Sequence, residues 1–106
     1  MRILLDACVP RGLRGSFAGH EVSTAHDLGW GDLDNGDLLD AMADAFDVLV
    51  TVDRGLPKQQ HLAGRPIGIL MLRARSNRLA DLQPLAPYFE AALGRIRAGT
   101  VVEVPG

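Results

Sequence analysis

The run Val48-Leu49-Val50-Thr51-Val52 constrains this chain more than any other stretch. It is a block of mostly β-branched residues with no apolar/polar alternation, held between Asp47 and Asp53. Branched side chains favour extended backbone, and a strand that is apolar on both faces needs cover on both. Such a strand belongs in the middle of a parallel sheet. Ile3-Leu4-Leu5, ended by Asp6, has the same form, and so does the run from Ile67 to Leu72.

The segments between these runs read as helices and turns. Leu38, Leu39, Met42, Ala45 and Phe46 make one apolar stripe, which predicts a helix over 35–46 with Asp34 or Asn35 as its N-cap. Leu85, Phe89, Ala92, Leu93 and Ile96 predict a second helix from about Pro84 to Arg97. A short helix carrying Leu13 and Phe17 fits after Pro10, and a loop with Pro57, Gly64 and Pro66 precedes the strand at 67–72. Glu21 to Ala25 and residues 100–104 complete five strands, the last free to pair either way at an edge. The order β-α-β-α-β-loop-β-α-β indicates an α/β sandwich around a mostly parallel five-stranded sheet with right-handed crossovers. Strand order does not follow from the pattern.

At 106 residues, with no repeat or linker, the chain reads as a single domain over 1–106. Hydrophobic residues at 47% against 23% charged exclude disorder throughout, because the apolar surface offsets the entropy of folding. Cys8 is the only cysteine, so no internal disulfide forms, and a reducing setting is expected. No apolar run approaches the ~20 residues of a membrane span, and Asp6 comes too early for a signal peptide. The expectation is a cytoplasmic protein without a membrane partner.

The net charge of −2 hides a segregation by sign: residues 1–20 sum to +2, 21–53 to −9 and 54–106 to +5. Ten of the eleven bases are arginine, whose planar fork suits phosphate. GC-rich coding would enrich arginine unaided, but it does not explain the segregation.

In parallel sheets ligands bind at the carboxyl ends of the strands, where the topology switches direction. Asp6 and Asp53 each follow a predicted parallel strand, and Asp37 lies in the first turn of a helix starting at the same end. Three converging carboxylates repel one another, and either a protonated member or a divalent cation relieves this; oxygen ligands select Mg²⁺ or Mn²⁺. Such an ion acidifies water and polarises a phosphoryl oxygen. Thr51 points as Asp53 does and is a supporting residue, while Arg54, Lys58, Arg73, Arg75 and Arg78 fall in loops on the same face, where phosphates would be bound. Each acid also has a structural alternative: Asp6 could cap a helix start, Asp53 could cap the turn before Leu56-Pro57, and Asp37 fits a capping position after Asp34. Asp40 and Asp44 read as a solvated face. His20, His26 and His61 have no metal-ligand spacing, Trp30 reads as an anchor of the glycine-rich loop, and Cys8 has no visible activating partner.

These stretches resemble the small PIN-like domains related to VapC-type toxins of type II toxin–antitoxin pairs. The resemblance lies in Ile3-Leu4-Leu5-Asp6 with Pro10, Gly19-His20-Glu21-Val22, Leu28-Gly29-Trp30, Asn35-Gly36-Asp37-Leu38-Leu39, and Phe46 through Arg54. Gln59-Gln60 and Ser76-Asn77 follow in the same order, so it covers most of the chain. It implies a PIN-like three-layer sandwich and Mg²⁺- or Mn²⁺-dependent RNA cleavage, with Asp6, Asp37 and Asp53 at the family's acidic positions. It also implies RNA as substrate, a cognate antitoxin as partner and a homodimer. Two positions depart from the family: Asp6-Ala7-Cys8 stands where Asp-Glu-Asn is frequent, and Gly55 where Asn is. The leading expectation is therefore a metal-dependent endoribonuclease toxin. The alternative is a binding module for nucleic acid or protein with a degraded site. A phosphoacceptor domain would also place Asp after strands one and three, but it needs a lysine after the last strand, and the only lysine is Lys58.

Overall fold

In the computed structural model, which describes residues 1–105, β1 (Arg2–Leu5), β2 (Glu21–Thr24), β3 (Val48–Thr51), β4 (Gly68–Leu72) and β5 (Val101–Val104) form one sheet in the order β2-β1-β3-β4-β5. Every pairing is parallel, including that of β5, whose direction the pattern had left open. All four residues of β3 and all five of β4 are buried, as strands covered on both faces must be.

The strands divide their side chains between two cores. Ile3, Leu5, Val48, Val50, Leu70, Leu72 and Val104 face the 3₁₀ helix Arg11–Phe17 and the helices between β4 and β5. Leu4, Leu49, Ile69 and Met71 face the opposite way, onto α1 (Asn35–Met42), α2 (Leu56–Gln59), Phe46 and Ile67. Phe17 and Phe89 stack with centroids 4.5 Å apart, tying the first connection to the last.

The expected helix at 84–97 is displaced and broken into α3 (Leu79–Leu82), a 3₁₀ stretch Gln83–Tyr88 and α4 (Phe89–Arg95). Pro84 and Pro87 lack the N–H that a continuous α-helix uses, so the middle tightens instead. The expected helix at 35–46 ends at Met42: Ala45 and Phe46 donate back to the Met42 carbonyl at 3.1 and 3.0 Å, which turns Phe46 inward and leaves Ala45 exposed. The reading of a plain loop before β4 also misses α2, a single turn with Pro57 in its first positions.

One connection departs from the expected handedness. The β1–β2 and β4–β5 connections cross the same face but travel to opposite edges of the sheet, so their hands are opposite. The β2–β3 and β3–β4 connections cross the other face toward β5 and share the hand of the first. The last helices thus complete the core that the short 3₁₀ helix only partly covers, and the other face of β5 is left without a crossover.

Gly68 permits this return. A Cβ there would lie 2.3 Å from Ile96 Cγ2 and 3.0 Å from the Arg97 carbonyl oxygen. Gly68→Ala is expected to cost about 1–3 kcal/mol in denaturant unfolding, the range for overpacking a filled core. Unchanged stability would show that the turn after α4 yields freely.

Candidate active site at the carboxyl ends of β1 and β3

The connection leaving β1 goes to one edge and the connection leaving β3 to the other, so the strand order reverses between them. The crevice at their carboxyl ends is where such sheets place ligands. Asp6 and Asp53 stand there.

Asp6 continues the ladder through its amide, which donates to Val50 O at 2.9 Å, and the residue is only 9% exposed. Its Oδ1 accepts from Ala7 N at 2.8 Å, and its Oδ2 accepts from Thr51 Oγ1 at 2.7 Å and from Cys8 Sγ at 3.6 Å. Thr51 is fully buried. Its hydroxyl also accepts from Asp53 N at 3.1 Å, so one oxygen links the carboxylate of Asp6 to the backbone of Asp53. Asp53 Oδ1 accepts from Gly55 N at 2.9 Å, and Oδ2 accepts from Asn35 Nδ2 at 3.2 Å. The local turn anticipated for Asp53 is therefore made as well.

Asp37 is placed differently from the other two acids. The open choice of N-cap resolves to Asp34, whose Oδ1 accepts from Asp37 N at 2.8 Å. With Asp34 capping, Asn35 is free to reach Asp53, while Asp37 is exposed in the first turn. Among the described residues no three His, Cys, Asp or Glu side chains are grouped as a metal site. The structure joins Asp6 and Asp53 through Thr51 and does not add Asp37 to them. Asp40, read as solvated, bonds Arg65 at 2.8 Å.

Three further residues belong to the site. Asn35 is one, as its amide holds Asp53. Cys8 is half-buried, and its Sγ lies 3.6 Å from both Asp6 Oδ2 and Thr51 Oγ1. Burial pushes its thiol pKa up and the charge of Asp6 adds to this, against a backbone hydrogen bond at Val52. It therefore acts as a neutral donor rather than a thiolate nucleophile. Asn77 Nδ2 donates to Cys8 O at 3.0 Å, drawing the loop after β4 against the loop after β1. The signals in sequence were slight: an asparagine beside an equally good cap, and a polar pair in a loop.

No family model, curated protein or solved structure matches this chain. The chemistry of the site has to be read from its own atoms.

The cations of the protein are unequally committed. Arg2, Arg11, Arg14 and Arg65 all pair with carboxylates, and Arg73 pairs with Glu103 at 3.1 Å. Among the described residues Arg54, Lys58, Arg75 and Arg78 make no ion pair. These four lie in the segments that follow β3 and β4, at the same end as the aspartates. Lys58 belongs to α2, so the lysine expected after the last strand of a phosphoacceptor domain is not in that position.

The donor set suits a hard cation. Asp6 Oδ1 and both oxygens of Asp53 accept one hydrogen bond each, which leaves lone pairs on all three. Mg²⁺ needs no more protein than this, since it is commonly held by one or two carboxylates with waters and substrate phosphates.

Proposed function

We propose that this protein is a Mg²⁺- or Mn²⁺-dependent endoribonuclease of PIN-like type, acting as the toxin of a toxin–antitoxin pair. The observation that carries this reading is the coupling of Asp6 and Asp53 through the Thr51 hydroxyl at the point where strand order reverses. Asp6 and Asp53 would hold the ion. When bound, it supplies an acidified water and a polarised phosphoryl oxygen. The protein's own part is positional: Ala7 N and Thr51 fix the Asp6 carboxylate, Gly55 N and Asn35 fix that of Asp53, and Arg54, Lys58, Arg75 and Arg78 hold phosphates of the RNA. Arg73 joins them once released from Glu103. Cytoplasmic RNA as substrate, an antitoxin protein as partner and a homodimer belong to the same proposal. No helix among the described residues is long and apolar enough to cross a membrane.

A second reading, a binding module that has lost catalysis, is favoured by Ala7 and by the separation of Asp37 from the pair. Calorimetric titration of Mn²⁺ into wild type and Asp53→Asn separates the two. Binding by wild type that disappears in the variant supports the nuclease. No binding by the folded wild type, with or without RNA, removes the metal site and leaves the binding module.

A further inference from the structure

Because the helices between β4 and β5 cross the opposite face, the near face of β5 has no helix over it and stays accessible beside α2. A groove of about 360 Å³ lies there, floored by Pro57, Met71 and Val101. Its rim carries Arg54 and Lys58, with the Arg73–Glu103 pair on the other side. Arg54 directly follows Asp53, so the groove adjoins the aspartate pair.

We propose that this groove is a subsite for one nucleotide of a single-stranded RNA, with the base laid on Pro57 and Val101 and the backbone phosphates on Arg54 and Lys58. The inference rests on the RNA reading above and adds to it where the strand runs. An occupant must be anionic at the rim, where two cations have no ion pair among the described residues, and apolar at the floor. A nucleotide combines these properties, whereas inorganic phosphate would leave the floor uncovered. A duplex would keep its bases stacked within the helix and away from the floor, so the strand is single. Arg73 and Glu103 side chains are 47% and 53% exposed, and ion pairs so exposed hold weakly. A phosphate can therefore take the place of Glu103 on Arg73, which makes Glu103 a gate on affinity.

The test is anisotropy of a fluorescein-labelled random RNA hexamer titrated with the full chain in EDTA at low salt. Val101→Trp fills the groove and is expected to weaken binding about tenfold, the scale of one lost base contact. Glu103→Gln frees Arg73 and is expected to tighten binding about threefold, with a salt slope steeper by about one. Glu21→Gln, the same charge change at the start of β2, is expected to leave binding as it was. Equal effects of Glu103→Gln and Glu21→Gln would overturn the proposal, as would a hexamer that does not bind. If Val101→Trp does not fold, the two glutamate variants decide. The groove pattern without any cleavage or Mn²⁺ binding would remove the nuclease and keep the subsite. Mn²⁺-dependent cleavage with silent groove variants would do the reverse.

Discussion

Asp53→Asn is expected to lower Mn²⁺-dependent RNA cleavage about a thousandfold, a loss of several kcal/mol of transition-state stabilisation, and to leave the metal-free protein as stable as wild type or slightly more so. The side chain is half-buried and its two oxygens accept from Gly55 N and Asn35 Nδ2. An asparagine keeps the first of these bonds through its own oxygen, and Asn35 can turn its amide to accept the second. The substitution also removes one of two negative charges at the same end of the sheet, where like charges repel. Thermal unfolding with and without Mn²⁺ checks this directly: at a hundred times its Kd the ion would stabilise wild type by about 2.7 kcal/mol and leave the variant unmoved. Asp6→Asn should behave differently. Asp6 is buried with donors on both oxygens, so an amide nitrogen there either faces Ala7 N, donor against donor, or donates to Thr51 Oγ1 and displaces that hydroxyl's own proton from its acceptor, and the fold itself weakens. If Asp53→Asn cleaves as fast as wild type, the reaction lies elsewhere.

The strands were legible because their physics is local. A run such as Val48 to Thr51, apolar in every direction, has few places to go other than the centre of a parallel sheet, and Asp6 and Asp53 mark where two such runs leave the core. The position of Asp37 was not legible. Asp34 and Asn35 are equally good caps in sequence, and the choice between them decides whether Asn35 or another residue reaches Asp53. The face taken by the last crossover was hidden for a different reason. It depends on which core lacks cover, a sum over Leu13, Phe17, Phe89 and the residues of β4 and β5 that no single segment records. That same hidden choice opens the groove at Met71 and Val101, so the least readable feature of the fold shapes the surface beside the most readable one.

Thr51→Val tests the coupling at the centre of the site. Valine nearly matches threonine in shape, so packing is conserved and only the hydroxyl is lost. Asp6 Oδ2 then keeps only the thiol at 3.6 Å, and Asp53 N loses its partner. Leaving a buried polar group unpaired costs about 1–3 kcal/mol, so the two together predict a loss of about 2–5 kcal/mol in denaturant unfolding. Domains of this size have only about 5–15 kcal/mol in all. Thr51→Ser keeps the hydroxyl and removes one methyl group, so it should cost about 1 kcal/mol. The order wild type, serine, valine identifies the hydrogen bonds as the stabilising element. The reverse order, with serine weaker than valine, would show that Thr51 serves as core packing alone. Mn²⁺ binding adds a readout that stability does not contain. Thr51→Val retains both carboxylates but no longer holds Asp6 and Asp53 to a common oxygen, so the folded variant should bind the ion more weakly than wild type, and Thr51→Ser should restore it.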